Sequence, residues 1–305
     1  MKFTIYQESR VGKRTSNQDR MAHCYSRDAL LMVIADGMGG HLHGEVAAQI
    51  AVQFITEAFQ REAQPALLDP FLFLSKGLLN AHHAIADYAA ERRLEEAPRT
   101  TCVVCVVQES VAYWAHAGDS RLYMVRAGRV TACTRDHSRV QLMLDQGLID
   151  EKAAATHPAR NRIYSCLGGN QPPQIEFSRK TPLLEGDVLA LCTDGAWGPL
   201  STDMIARTLN GANLMQAVPK LMSDAEILGG ETCDNLSMIA LRWEDNYGQG
   251  GPDSVMTQSL PIGGFTTEIR GFSEARVPEG VTDLTDEEIE QAIQEISTAI
   301  KKYSR

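Results

Sequence analysis

Short apolar runs separated by polar segments dominate the pattern of this chain, and four of these runs meet an aspartate. Residues 30–35 precede Asp36, 113–118 precede Asp119, 188–193 precede Asp194, and 236–241 follow Asp234 and Asn235. Apolar runs of this length are typical of buried strands. Glycine after Asp36 and after Asp194 lets the chain turn sharply where the carboxylate emerges. The pattern therefore predicts four buried strands whose carboxylates converge at one end of a sheet.

Helical spacing and further strands fill the intervals between these runs. After Asp36, one helix face collects Ala47, Ile50, Ala51, Phe54 and Ala58. In chain order, the other predicted elements are an edge strand at 3–7, a polar loop at 12–19, a second helix at 70–93, three consecutive strands within 100–131, a mostly helical excursion at 138–170, a strand near 175–178 and a helical region ending near 223. Strands in runs and helices in pairs predict an α+β fold.

The composition changes near residue 245, where a glycine-rich stretch typical of a flexible linker begins. We predict a folded domain at 1–244, a linker at 245–282 and a C-terminal amphipathic helix at 283–305. The apolar stripe of this helix consists of Ile289, Ile293, Ile296, Ile300 and Tyr303. Two heptads are too short to be stable alone, so the stripe should dock on its own domain or on a partner, and both interpretations stay open.

Charge and composition narrow the possible partners and the cell compartment. The 305 residues carry a formal net charge of −10, and the acidity is concentrated in 245–305, which hold eleven acidic and five basic side chains. No basic stripe with interleaved aromatics suggests a nucleic-acid partner. No apolar run approaches the ~20 residues that span a bilayer, and no signal-peptide pattern opens the sequence. Seven scattered cysteines, an odd number, favour a reducing compartment. We expect a cytoplasmic protein with no membrane partner. We interpret Cys102 and Cys105 as buried strand residues rather than as metal or redox ligands.

Converging carboxylates make a metal site the leading hypothesis, although a single Asp-Gly is usually only a turn. Two carboxylates ~4 Å apart repel by about 4 kcal/mol at an effective dielectric near 20, so a cluster requires protonation or bound cations. Oxygen ligands suit Mg²⁺ or Mn²⁺ better than zinc. Two such ions would balance the four charges of Asp19, Asp36, Asp194 and Asp234, and they could activate a water for attack at phosphorus. Arg14 could hold phosphate oxygens bidentately, although by itself it is more typical of a surface ion pair.

An ordered series of motifs, spread over about residues 3–243, resembles the protein phosphatase 2C family and its bacterial Ser/Thr phosphatases in particular. The series is Arg14 with Asn17-Gln18-Asp19, Asp36-Gly37-Met38-Gly39-Gly40 with Gly44-Glu45, Thr100-Thr101, Ala117-Gly118-Asp119-Ser120-Arg121, Asp136-His137-Ser138, Thr193-Asp194-Gly195, and Asp234-Asn235-Leu236-Ser237. The resemblance implies a four-layer α-β-β-α sandwich, in which two antiparallel sheets are flanked by helices.

The same resemblance implies a binuclear Mg²⁺ or Mn²⁺ centre with a possible third ion. Asp36 would bridge the two metals, Gly37 would lend its carbonyl, and Asp194 and Asp234 would hold one metal. Asp19 would act directly or through water, and Asp119 would help to hold the third ion. Residues 138–165 fall where the family has a mobile flap that shapes substrate access.

Two positions depart from eukaryotic members of the family. Met38 stands where some of them have a histidine proposed as general acid, and Gln18 stands where they have a glutamate ligand. Both substitutions resemble the bacterial branch. They concern mechanistic detail rather than activity.

Other enzyme classes lack support in the sequence. A cysteine phosphatase requires a phosphate loop in which an arginine follows the cysteine by six residues, and here only Cys133 with Arg139 has that spacing, with no glycine between them. Residues 136–138 do not form a nucleophile elbow. We interpret His41 and His43 as exposed polar residues, and His82 and His83 as half-exposed surface. The expected function is dephosphorylation of phosphoserine and phosphothreonine proteins in opposition to a protein kinase. The alternative is a catalytically silent, phosphatase-like binding protein that acts through its tail.

Overall fold

Two antiparallel sheets lie face to face in the computed structural model, which describes residues 1–38, 43–155, 157–211 and 213–245. The predicted C-terminal helix at 283–305 and nearly all of the predicted linker lie outside the described residues. The domain boundaries therefore stay predictions.

The strands form two main sheets. They are β1 (Phe3–Arg10), β2 (Asp19–Tyr25), β3 (Ala29–Asp36), β4 (Arg99–Thr100), β5 (Cys102–Gln108), β6 (Val111–Ala117), β7 (Arg121–Arg126), β8 (Arg129–Cys133), β9 (Leu167–Gly168), β10 (Glu176–Phe177), β11 (Thr181–Pro182), β12 (Val188–Cys192) and β13 (Leu236–Trp243). The first sheet has the order β1-β13-β12-β7-β8. The second has the order β10-β6-β5-β3-β2, with β11 also paired to β6, and β4 pairs with β9 in a separate ribbon.

Seven α-helices lie among the described residues, and five of them cover the outer faces of the two sheets. The seven are α1 (Gly44–Glu62), α2 (Pro70–Arg92), α3 (Arg139–Asp145), α4 (Glu151–Ala155), α5 (Asp194–Trp197), α6 (Thr202–Leu209) and α7 (Leu214–Gly229). The start of α2 shows why a boundary falls where it does. The Asp69 carboxylate accepts hydrogen bonds from the backbone N–H groups of Phe71 and Leu72, and Pro70 occupies the first helical position, where no N–H is needed.

Three apolar clusters separate the layers. The first lies between the second sheet and helices α1 and α2, and the second lies between the first sheet and helices α5, α6 and α7. The third fills the space between the two sheets, with Met32 and Ile34 from one side and Leu189 and Leu241 from the other. This arrangement confirms the predicted four-layer α-β-β-α sandwich.

Cys102 and Cys105 lie on opposite faces of β5, as the strand interpretation predicts. Cys102 packs in the first cluster and Cys105 in the third, and burial raises the pKa of both thiols. All seven cysteines of the chain are free thiols.

Some element predictions were incomplete or wrong. The region 100–131 contains four main strands rather than three, because the two-residue turn at Ala127 and Gly128, both with positive φ, leads into β8. Within the described part of 138–170, only α3 and α4 are helical. The strand near 175–178 is limited to two residues. No helix among the described residues is long and apolar enough to cross a membrane.

Candidate metal centre

The ends of several strands bring the five predicted aspartates to one place. Asp19 opens β2 and Asp36 closes β3, and the two residues are register partners in the sheet. Asp119 follows β6 in the turn that leads to β7. Asp194 does not end its strand, as the sequence suggested, but begins the one-turn helix α5 two residues after β12. Asp234 precedes β13 by two residues.

Burial and mutual repulsion raise the pKa of four of these carboxyls. The pKa of Asp36 is raised well above its ordinary range by burial and then by the charges of Asp19, Asp194, Asp119 and Asp234. Burial and the charge of Asp194 also raise the pKa of Asp119. The pKa rises to about 7 for Asp19 and to about 6 for Asp194, again with burial as the first cause. Asp36 thus lies within the field of all four other carboxyls.

The donor set fits hard divalent cations. Asp19 is only 4% exposed, and its Oδ2 accepts a hydrogen bond from the Thr193 hydroxyl at 2.9 Å. Its Oδ1 is buried and has no hydrogen-bond partner among the described residues. A buried carboxylate oxygen without a partner is costly unless a proton or cation reaches it. Oxygen donors with excess negative charge are what Mg²⁺ and Mn²⁺ prefer.

Gly37 lies where only glycine fits. A Cβ atom built on it would lie 2.4 Å from the Gly44 carbonyl oxygen. Its N–H donates to the Gln18 carbonyl at 3.2 Å, and it forms a bridge with Thr100. The close approach of α1 to this turn fixes the peptide next to Asp36, while the ligand role of the Gly37 carbonyl stays a prediction.

Arg14 reaches the cluster but is paired with one of its aspartates. Its Nε and Nη2 donate to Oδ1 and Oδ2 of Asp234 at 2.8 and 2.6 Å, and the pair raises the pKa of Arg14. The Arg14 side chain remains 57% exposed. Its predicted contact with phosphate is therefore untested, and its position at the open side of the cluster is compatible with that role.

Asn235 holds the loop that carries Arg14, a role that the sequence did not reveal. Its Oδ1 accepts from the Gln18 N–H at 2.8 Å, and its Nδ2 donates to the carbonyls of Val11 and Ser16 at 2.8 and 2.9 Å. The side chain is buried. One amide thus ties both ends of the loop to the strand that follows Asp234.

Two threonines at the junction of β4 and β5 hold the backbone of Asp36. The Thr100 hydroxyl and the Thr101 N–H both donate to the Asp36 carbonyl, at 2.8 and 2.9 Å. The Thr101 hydroxyl accepts from the Asp36 N–H at 3.2 Å and shares a 2.7 Å hydrogen bond with the Ser120 hydroxyl. The sequence signal was the Thr100-Thr101 pair in the motif series, to which no role had been assigned.

The turn at Asp119 is held by Trp197, and the Arg121 cation stacks on the Trp197 ring. The Trp197 indole N–H donates to the Asp119 carbonyl at 3.0 Å, and the Arg121 guanidinium lies 3.4 Å above the centre of the Trp197 ring. Arg121 in turn forms a bidentate ion pair with Asp136, both contacts at 2.8 Å. These contacts explain why Asp136 serves a structural pair rather than a nucleophilic triad.

The structure agrees with some of the histidine interpretations and contradicts one. His82 is 6% exposed, so its assignment as half-exposed surface was wrong, because Nδ1 accepts a hydrogen bond from the buried Gly168 N–H at 3.1 Å. His83 is exposed, and His43 is partly buried at the start of α1. His41 lies outside the described residues. Gln18, at the position of the family's glutamate, donates from its amide to Glu45 at 3.2 Å.

A second group with metal-binding side chains lies beside the turn at Asp119. His116, His137 and Glu176 each offer a ligand atom within 4.8 Å of the others. The two imidazole rings are stacked, with centroids 4.6 Å apart and planes 25° apart. Because the rings are nearly parallel, their lone pairs point side by side rather than toward one ion. The aspartate cluster is the better metal centre.

Comparisons with known proteins agree with the geometry. The family profile described as protein phosphatase 2C matches residues 6–223. The chain is 28% identical to the serine/threonine phosphatase stp of Listeria welshimeri, over 73% of this chain and 88% of that protein. It is 30% identical to PstP of Mycobacterium tuberculosis, over 78% of this chain, and spans 45% of PstP. The solved catalytic domain of PstP in complex with two manganese ions matches with a TM-score of 0.68 and 27% identity, over 80% of this chain and 99% of that domain.

Proposed function

This chain belongs to the protein phosphatase 2C family, and we propose that it hydrolyses phosphoserine and phosphothreonine in proteins by attack of a metal-activated water on phosphorus. Its bacterial relatives are serine/threonine phosphatases, so it is an enzyme, a phosphoric monoester hydrolase. Mg²⁺ or Mn²⁺ is the cofactor of this class. The observation that carries the proposal is the group of aspartates around Asp36, whose charges are too close together to persist without protons or cations.

The aspartates have distinct proposed roles. Asp36 would bridge two ions, Asp194 and Asp234 would hold one of them, and Asp19 would act directly or through water, with the Gly37 carbonyl as a further donor. Asp119 would help to hold a third ion. When bound, the cations would lower the pKa of a water and offset the charge that develops on the phosphoryl group.

Arg14 is the proposed phosphate-binding residue. Its guanidinium is more than half exposed, and a bidentate contact to two phosphate oxygens has the same planar geometry as its contact with Asp234. A phosphate dianion that replaces Asp234 as its partner would leave that carboxylate available to a cation. The loop held by Asn235 would keep Arg14 at the open side of the cluster.

A chelator experiment tests the proposed chemistry. Hydrolysis of p-nitrophenyl phosphate and of a phosphothreonine peptide should vanish in EDTA and return when Mn²⁺ or Mg²⁺ is added in excess. Full activity in EDTA would contradict the metal mechanism. The alternative of a silent, phosphatase-like binding protein predicts no hydrolysis of either substrate under any of these conditions.

The biological setting is also a proposal. We propose that the chain opposes a bacterial Ser/Thr kinase in the cytoplasm, and that residues 283–305 dock on a separate partner through the isoleucine stripe. The relatives' names support the signalling role, and the glycine-rich linker in the sequence supports an independent tail. A comparison of phosphoproteomes with and without the gene would test the first proposal. Proteins whose phosphoserine or phosphothreonine rises in its absence are expected, and an unchanged phosphoproteome would contradict it.

A further inference from the structure

Gly118 and His137 contact each other at two points, and Gly118 immediately precedes Asp119. The His137 N–H donates to the Gly118 carbonyl at 2.9 Å. In the opposite direction, the Gly118 N–H donates to Nδ1 of the His137 ring at 3.3 Å. One histidine therefore satisfies both backbone groups of the glycine that leads into the Asp119 turn.

On its other side, Gly118 packs tightly against Thr101. Its φ is +113°, and a Cβ atom built on it would lie 2.6 Å from Cβ of Thr101. Thr101 is itself tied to the Asp36 backbone and to Ser120. Since the turn rests against a fixed strand on this side, a shift of His137 on the other side changes where Asp119 lies.

His137 also joins the two ends of the segment 138–165. The Tyr164 N–H donates to the His137 carbonyl at 2.9 Å, and the Arg139 N–H donates to the Arg162 carbonyl at 2.9 Å. The His137 ring, only 1% exposed, lies between the His116 ring at 4.6 Å and the Tyr164 ring at 5.5 Å. Displacement of either end of the segment therefore acts on this ring.

We propose that His137 is a positioning residue that couples the ends of the segment 138–165 to the Gly118–Asp119 turn. Contact of a protein substrate with that segment would then be transmitted through His137 to the Asp119 carboxylate. The inference rests on the proposed function only in assigning Asp119 to the reaction. The coupling itself is a property of the fold and can be measured without turnover.

Amide hydrogen exchange tests the coupling in the full chain with Mn²⁺ present, with mass spectrometry on peptides that cover 116–121 and 162–166. Tyr164→Ala removes the ring over His137 at a position that is 42% exposed, so the variant should fold. It should speed exchange in 116–121 by at least about three-fold, although Tyr164 makes no hydrogen bond to Gly118. His137→Phe keeps a ring but removes the acceptor, and should speed exchange in both peptides by about ten-fold, the factor expected for one lost buried hydrogen bond.

Two further variants separate this role from general destabilisation. His82→Phe removes the acceptor of another buried glycine N–H, that of Gly168, and should leave 116–121 unchanged. His137→Asn places an amide oxygen near the position of Nδ1 and should restore slow exchange in 116–121. Faster exchange in 162–166 with none in 116–121 for Tyr164→Ala would overturn the inference, as would equal effects of His82→Phe and His137→Phe on 116–121.

Kinetics give an independent readout. His137→Phe should lower kcat/KM for a phosphothreonine peptide by at least about five-fold more than for p-nitrophenyl phosphate, because a peptide offers far more surface for contact with the segment 138–165 than the small ester does. Equal losses on both substrates would overturn the claim that substrate contact with the segment is transmitted through His137. Absence of turnover in the unmodified chain, with the exchange coupling intact, would contradict the proposed function and leave the coupling standing.

Discussion

Asp36→Asn should make the metal-free protein more stable while it abolishes activity. Asp36 lies in the field of Asp19, Asp194, Asp119 and Asp234, and burial together with these charges raises its pKa well above the ordinary range. A neutral amide of nearly the same shape removes one buried charge from this group. The substitution removes a ligand from the proposed metal pair at the same time, so stability and activity should change in opposite directions.

The size of the effect follows from the charges. Two unit charges about 4 Å apart repel by about 4 kcal/mol at an effective dielectric near 20. Proton uptake by Asp36 itself relieves part of this repulsion in the unmodified protein, because burial and the neighbouring charges raise its pKa well above the ordinary range. We expect a net gain of about 2 kcal/mol near pH 8, which corresponds to a Tm increase of about 4–8 °C for a domain of this size.

The gain should depend on pH in a defined direction. Asp19 and Asp194 have folded-state pKa values above the unfolded value of about 4, so the stability that they contribute is complete below about pH 4 and is lost as the pH rises through 6 and 7. The metal-free, unmodified protein should therefore melt at a lower temperature at pH 8 than at pH 5. The advantage of Asp36→Asn should grow over the same interval.

Thermal melts in EDTA and in Mn²⁺, at both pH values, check this prediction. Asp203→Asn is the matched control, because Asp203 is exposed and forms an ion pair with Arg207 on the same helix, so its change should stay within about 0.5 kcal/mol. Mn²⁺ should raise the Tm of the unmodified protein and of the control but not that of Asp36→Asn. Destabilisation by Asp36→Asn in EDTA at pH 8, or a preserved Mn²⁺ response, would refute the reasoning.

Three further substitutions or truncations have expected outcomes. Arg14→Ala should raise KM for p-nitrophenyl phosphate by about ten-fold or more and lower kcat less, because a charge-assisted bidentate contact is lost; a kcat loss with unchanged KM would contradict phosphate binding by Arg14. Asn235→Ala should reproduce the KM effect and lower Tm, since three hydrogen bonds that hold the Arg14 loop disappear; normal KM would show that the loop keeps its place without them. A chain that ends after Asp245 should keep its Tm and its activity on small esters, whereas its activity on protein substrates should change. If the isoleucine stripe instead completes the core, the truncation would cost roughly 1.5–3 kcal/mol of stability per buried aliphatic side chain, and Tm would fall clearly.

Burial patterns made much of the sandwich predictable. Long apolar runs such as 102–107 and helices such as α1 and α2 were found because each buries one face or both over many residues. β2 was missed because its buried positions alternate irregularly and its polar Arg20 and His23 resemble a loop. Strands of two residues, such as β10, are too short to produce a pattern at all.

The candidate site was predictable in its charges but not in its hydrogen bonds. The aspartates can be recognised in the sequence because they lie at the ends of apolar runs, and the motif series placed Arg14 with them. Periodicity reports burial and says nothing of which residues meet across the fold, so the Arg14–Asp234 pair, 220 residues apart in sequence, could not be foreseen. For the same reason, the sequence did not show that Asn235 and Thr101 hold the backbone around the site, or that His82 is buried.

The central claim is that bound divalent cations drive the reaction. Its most direct test titrates the metal-stripped full chain with Mn²⁺ in a calorimeter and measures, at the same Mn²⁺ concentrations, phosphate release from a phosphothreonine peptide. The account predicts that binding of about two Mn²⁺ per chain and the appearance of activity follow the same titration curve. Asp36→Asn should lose both, and Asp203→Asn should keep both. Phosphate release by the metal-stripped chain at the full rate, or Mn²⁺ binding that Asp36→Asn leaves unchanged, would contradict it.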